Sequence, residues 1–117
     1  MNKSSTRARG QAAESRAEAF LIQHGLTLVE RNYQIKRGAN MRSEIDLIMR
    51  DDDYWVFVEV RMRLNPNFGN SLETINLNKQ RLIIHAAKHF LLERNLFDRV
   101  DCRFDAIGID HANEMIW

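Results

Sequence analysis

Asp46 and Glu59 stand in two stretches that alternate apolar and polar residues, Glu44 to Met49 and Trp55 to Arg63. An acidic run, Asp51, Asp52 and Asp53, joins them. Period-two alternation on both sides of an Asp-rich turn predicts a β-hairpin. Matching apolar residues across it sets Ile45 opposite Val60, Leu47 opposite Val58 and Met49 opposite Val56, and leaves Asp51 to Tyr54 as a four-residue loop. The same register puts Asp46 opposite Glu59 and Glu44 opposite Arg61 on the other face, among Ile48, Phe57 and Trp55.

Two carboxylates brought together in this way need a partner. At about 5 Å and an effective dielectric near 20 they repel by roughly 3 kcal/mol. A hard divalent cation, Mg²⁺ or Mn²⁺, relieves that repulsion, because such ions are held by one or two carboxylates plus waters and phosphate oxygens. The plainer alternative is a surface ladder of ion pairs, Glu44 and Glu59 against Arg61 and Arg63, which adds little to stability.

An Asp, a hairpin turn, then Glu-x-Lys on the next strand is the site pattern of the PD-(D/E)XK nuclease superfamily. This chain resembles it through Asp46, Glu59 and, in the Lys position, Arg61. The wider set of Gly10 to Leu21, Asn32, Glu44 to Ile48, Phe57 to Arg61, Arg63, Phe68-Gly69, Lys79 and Arg103-Phe-Asp105 resembles the YraN-like family. That family is similar in expected fold to archaeal Holliday-junction resolvases. The resemblance implies a restriction endonuclease-like fold and a metal site at Asp46 and Glu59. It also implies an assisting acid on the first helix, for which Glu14 is the matching position. Arg61 stands where Lys is usual, and Ser43 where Gly is common. Lys can lose its proton and help to activate water, whereas Arg stays protonated and can only orient or stabilise charge. Arg61 is therefore left to engage the phosphate, with water activation falling to a cation.

The elements that must position these residues are those of one domain of 117 residues. An apolar fraction of 44% and a charged fraction of 28% are ordinary for a soluble globular chain. No apolar run is long enough to span a membrane and no secretory signal is present, so a cytoplasmic protein is expected. The single cysteine, Cys102, excludes an internal disulfide and is expected as a buried strand residue. The net charge of +1 hides an asymmetry, with eight Lys/Arg against three Glu in residues 1–43 and nine against thirteen Asp/Glu in residues 44–117. A basic first part permits contact with nucleic acid, and acidity gathered near Asp46 suits a cation.

Residues 1–9 lack apolar periodicity and read as a mobile basic tail, with residues 10–117 as the domain. An amphipathic helix is expected from Gln11 to His24, lined by Ala13, Ala17, Phe20 and Leu21 and stopped by Gly25. A strand follows over Leu26 to Ile35, then a basic loop from Lys36 to Arg42. Within it Lys36, Arg37 and Arg42 are candidate phosphate contacts or merely solvated charges, and Arg63 is a further nucleic-acid candidate. Leu64 to Ser71 reads as a loop whose Phe68 stacks on a base or caps the core. A second helix from Leu77 to Arg94, capped by Asn76 or Thr74, buries Leu82, Ile83, Ala86, Phe90 and Leu91. Its first turn carries Lys79, which can bring positive charge to the site mouth, or whose stem simply covers the core edge. His85 and His89 are spaced as zinc ligands but have no third partner, and read as surface residues. Strands are expected over residues 100–109 and 114–117, with Asp105 supporting the site from behind. A strand after a long helix implies a βαβ crossover and hence a mixed sheet flanked by helices.

These features favour an α/β domain with a central mixed sheet flanked by helices. The expected activity is divalent-metal-dependent cleavage of DNA, branched or otherwise structured DNA included. Asp46 and Glu59 would hold the metal, Glu14 would assist, and Arg61 and Lys79 would engage the phosphate. Two symmetric cuts would call for a homodimer. The alternatives are a nucleic-acid-binding module that keeps the fold without hydrolysis, which Arg61 favours, and a protein-interaction domain, which would show no salt-dependent DNA binding.

Overall fold

A computed structural model describes residues 6–37, 41–62, 75–110 and 112–117. The chain runs α1 (Thr6–Gln23), β1 (Thr27–Arg37), β2 (Met41–Asp51), β3 (Tyr54–Met62), α2 (Leu77–Glu93), β4 (Asp101–Ile109) and β5 (Met115–Ile116). The five strands form one sheet in the order β1-β2-β3-β4-β5. β3 and β4 are parallel and the other neighbours antiparallel. This is the mixed-sheet α/β architecture that the sequence implies, with α2 as the crossover between the parallel pair.

Each helix covers one face. Ala13, Ala17 and Leu21 recur every fourth residue along α1 and pack on Leu47, Met49, Val56, Val58, Ile107 and Ile109. On the opposite face Ile83, Ala86, Ala87, Phe90 and Leu91 of α2 pack on Tyr33, Ile48, Trp55 and Phe57. Removing a Leu- or Phe-sized side chain from water contributes about 1.5–3 kcal/mol, so each face is a substantial share of the fold. Leu82, expected in the buried stripe, is half-buried, and Ala87 takes the place beside Ala86.

Both helices stop in the same way. After α1, Gly25 at φ +97° donates to Ile22 O, and Leu26 N–H reaches back to Leu21 O. After α2, Asn95 at φ +60° donates to Leu92 O, and Leu96 reaches Leu91 O. These are Schellman motifs, closed once by Gly and once by Asn, the residues that enter the left-handed region at least cost. At its other end α2 is capped by Asn76, whose side chain accepts from Lys79 N–H at 2.8 Å.

Several boundaries differ from expectation. α1 begins at Thr6, inside the stretch read as a tail; residues 1–5, like Thr74, lie outside the described residues. Lys36 and Arg37 end β1, and Arg42 lies in β2 opposite Lys36, so these are strand positions and not a loop. Asp51 pairs with Tyr54, which shortens the expected four-residue loop to Asp52 and Asp53; Asp52 takes φ +53°. Cys102, expected to be buried, is exposed near the start of β4. The largest difference concerns Ile45. It was expected to share a face with Leu47 and to meet Val60, yet it packs with Tyr33 on the α2 side while Val60 packs on the α1 side.

Candidate active site

The displacement of Ile45 has a local cause that also builds the site. The β1–β2 ladder passes from Arg31 opposite Leu47 to Tyr33 opposite Ile45. Between them Asn32 takes φ +52°, the left-handed region that Asn enters more readily than most residues. A left-handed residue rotates the strand locally, so the alternation of faces slips by one across Asn32 and Asp46. The β2–β3 ladder, in turn, extends from Asp51 opposite Tyr54 only as far as Leu47 opposite Val58. Beyond that point Val60 N–H is taken by the Asp46 carboxylate, Oδ2, at 2.8 Å. The carboxylate thus stands in for a ladder carbonyl where the two strands part.

Three carboxyl groups meet at this break. Glu59 projects from β3 on the α2 side and Glu14 from α1 on the other side. The Asp46 charge acts on both of them. Asp46 and Glu59 are buried, at 8% and 5% exposure, the only two acidic residues among the described ones to be so. Burial, then the neighbouring Asp46 charge, pushes the Glu59 carboxyl up to about 8, against the pull of Lys79 and Arg61. Burial, followed by the charges of Asp46 and Glu44, pushes Glu14 up to about 7, with an Asn32 hydrogen bond opposing the rise. Expected spacing thus became an observed juxtaposition, although Asp46 and Glu59 meet where the ladder has ended and not as a paired register position.

Cations close the arrangement on one side. Lys79 Nζ lies 3.6 Å and Arg61 Nη1 3.7 Å from Glu59 Oε2. Lys79 reaches the site because Asn76 starts α2 one turn earlier and aims its first turn at β3. The other Glu59 oxygen, Oε1, is buried and accepts no hydrogen bond. A buried carboxylate oxygen without a partner is costly, and a hard cation is a ligand that would satisfy it. The donor set of carboxylate oxygens matches Mg²⁺ or Mn²⁺ in kind. Glu14, Asp46 and Glu59 are strung as a chain through Asp46; among the described residues no three His, Cys, Asp or Glu groups surround one metal-sized point. Asp46 and Glu59 would therefore be the protein ligands, with Glu14 adjoining.

Other sequence candidates fall elsewhere. Glu44 sits opposite Gln34 on β1, not opposite Arg61. Asp105 accepts from Arg103 Nε at 3.0 Å and from Trp117 Nε1 at 2.9 Å, and it lines one cavity with Glu59. His89 is exposed and its Nδ1 lies 2.8 Å from Tyr33 Oη, whose hydroxyl also donates to Glu93. His85 is half-buried. Arg63 and Phe68 lie outside the described residues. Two features had no sequence signal of their own: the Val60 backbone donor to Asp46, and the left-handed Asn32. The second was readable only as an Asn inside a strand, where Asn is disfavoured.

A UPF0102 protein of Nitrosospira multiformis is 52% identical over 101 residues, covering 86% of this chain and 79% of the relative. One from Nitrosomonas eutropha is 46% identical over 114 residues, 97% of this chain and 92% of the relative. A third, from Legionella pneumophila, is 42% identical over 113 residues, 96% and 92% of the two chains. The family model described as "Uncharacterised protein family UPF0102" matches residues 13–109, a span that holds Glu14, Asn32, Asp46, Glu59, Arg61 and Lys79. On these matches, the chain belongs to the uncharacterised protein family UPF0102, the YraN family.

Proposed function

We propose that this protein is a divalent-metal-dependent endonuclease acting on DNA, a member of the PD-(D/E)XK nucleases in chemistry as in motif. The observation that carries the reading is the burial of both Asp46 and Glu59 at the parted end of β2 and β3, with two cations on the outer Glu59 oxygen. Asp46 and Glu59 would hold Mg²⁺ or Mn²⁺. Bound there, the ion supplies charge neutralisation at a phosphate and activation of water. The chain's own residues do the rest. Lys79 and Arg61 orient and neutralise the phosphate group that undergoes attack, Arg61 through its planar fork and Lys79 as a compact charge. Glu14 assists from α1, beside Asp46. Lys79 also answers the departure at position 61, since it places an ammonium beside Glu59 from a different element.

Arg61 supports a second reading, a module that binds nucleic acid in this fold without cutting it, because a guanidinium cannot serve as a base. Cleavage of labelled duplex, single-stranded and four-way-junction DNA with Mg²⁺ or Mn²⁺ separates the two. Cutting that disappears in both Asp46→Ala and Glu59→Ala is the expected result. Salt-sensitive binding without cutting, unaltered by Asp46→Ala, would replace the nuclease with the binding module.

A further inference from the structure

β4 pairs with β3 along its length and with β5 only at Gly108 and Ile109, and Phe104 on it is 49% exposed. Among the described residues α2 packs against β1, β2 and Trp55 and Phe57 of β3, and leaves the β4 side of the same face uncovered. A cavity of about 340 Å³ occupies that space, walled by Ile83 and Ile84 of α2 and by Phe104 and Ala106 of β4. Glu59, Gln80 and Asp105 form its polar edge, with Asp105 held by Arg103 and Trp117. The inner side of the Phe104 ring rests on Phe57, with centroids 5.6 Å apart and the planes tilted by 33°, so the ring is backed by the core. Ile84, 53% exposed, faces the cavity from the helix.

We infer that this slot receives one unpaired nucleobase of the strand whose phosphate lies at Glu59. The inference rests on the nucleic-acid reading above and adds the form of the substrate. Three observations fit that occupant together. A backed aromatic ring with an open side opposite an aliphatic wall is shaped for a planar heterocycle. The volume lies at the low end of ligand pockets, which begin near roughly 300 Å³, and so suits a single nucleoside. The slot is continuous with the charged site: Glu59 lines it, its Oε1 is buried without a partner, and Lys79 and Arg61 stand within 3.7 Å of its other oxygen. Apolar walls, an acceptor at the edge and cations at one mouth match base and phosphate in turn. A base inside a duplex is stacked on both sides and must leave the stack to enter such a slot. Strand ends, flaps and junction arms would therefore be favoured over intact duplex.

The test uses the full chain with a DNA hairpin that is either blunt or extended by a short single-stranded tail carrying 2-aminopurine, with Ca²⁺ in place of Mg²⁺. The tail is expected to raise affinity on the order of tenfold and its fluorescence to be quenched on binding. Phe104→Ala should remove both effects while leaving blunt-duplex binding and the melting temperature in place, and Phe104→Trp should retain both. Equal affinity for blunt and tailed DNA, or a tail effect that survives Phe104→Ala, overturns the inference. Sedimentation in parallel reads the other occupant: if Phe104→Ala abolishes a dimer and leaves the tail effect untouched, the slot belongs to a second copy of the chain. Parallel cleavage with Mg²⁺ keeps the two proposals apart. Cutting without a tail effect removes the base slot alone, whereas quenching without cutting removes the nuclease alone.

Discussion

At its turn end the β2–β3 hairpin is paired without interruption from Leu47 opposite Val58 to Asp51 opposite Tyr54, and Leu47, Ile48, Met49, Val56, Phe57 and Val58 are all at 1% exposure or less. At its open end, one residue beyond Leu47 and Val58, the pairing stops and Asp46 and Glu59 are buried against each other. The two ends share one alternating pattern and two helices, but their energetics have opposite signs. The turn end stabilises the fold by burying apolar surface. The open end stores unfavourable electrostatics, visible as two carboxyls pushed toward or above neutrality. Such tension persists only where surrounding structure over-determines it, here the apolar end of the same two strands. The fold and the site are thus separable by substitution, although they sit on neighbouring residues.

The sharpest way to break this comparison is at Asp46. Asp46→Asn keeps an oxygen for the Val60 N–H and removes a charge. Cleavage should fall by at least about a thousandfold, the scale of losing an essential group, while the melting temperature holds or rises. A large loss of stability instead would mean that the open end supports the fold after all. Lys79→Ala, which takes one cation from Glu59, should lower the cleavage rate by roughly a hundredfold, as loss of one preorganised charge typically does. An unchanged rate would leave Lys79 as a cover for the core edge. Leu47→Ala is the mirror experiment at the apolar end. It should cost about 3 kcal/mol of stability, read by denaturant unfolding, with activity per folded molecule unchanged.

Acidity offers a gentler probe. Glu14 and Glu59 have an ordinary value of 4.5 and are raised on folding to about 7 and about 8. A carboxyl raised in this way takes up a proton as the chain folds. Its contribution is full below 4.5 and is lost as pH rises through 7 and then 8. In metal-free buffer the melting temperature should therefore decline between about pH 5 and about pH 9, and Glu59→Gln should flatten the decline. Added Mg²⁺ should restore stability at the alkaline end and not at the acid end. A melting curve independent of pH would remove the electrostatic tension from the account. The smallest effect is expected at the turn: Asp52→Gly relieves a left-handed residue and should stabilise by less than about 1 kcal/mol, with no change at Asp46 and Glu59.

The alternation of β2 and β3, the helical stripe of α1 and the capped start of α2 were legible from the order of residues, because strand and helix periods act within a few residues of chain. That Asp46 and Glu59 belong to one hairpin was legible too, but not how they meet, because the paired register expected for them is absent and the ladder ends at Leu47 and Val58. The slip of Ile45 onto the α2 face was not legible, because it depends on Asn32 of a different strand taking φ +52° beside Asp46. Cys102 looked like a buried residue of a strand, and whether a strand face is covered depends on where a helix from elsewhere lies. The sequence by itself determined the elements and placed Asp46 and Glu59 on one hairpin, since both follow from local periodicity. Only the tertiary structure decided that Glu14 joins the pair, that Lys79 answers Glu59, and that β4 keeps an open slot. Each of those depends on the packing of segments far apart in the chain, and no local pattern encodes that distance.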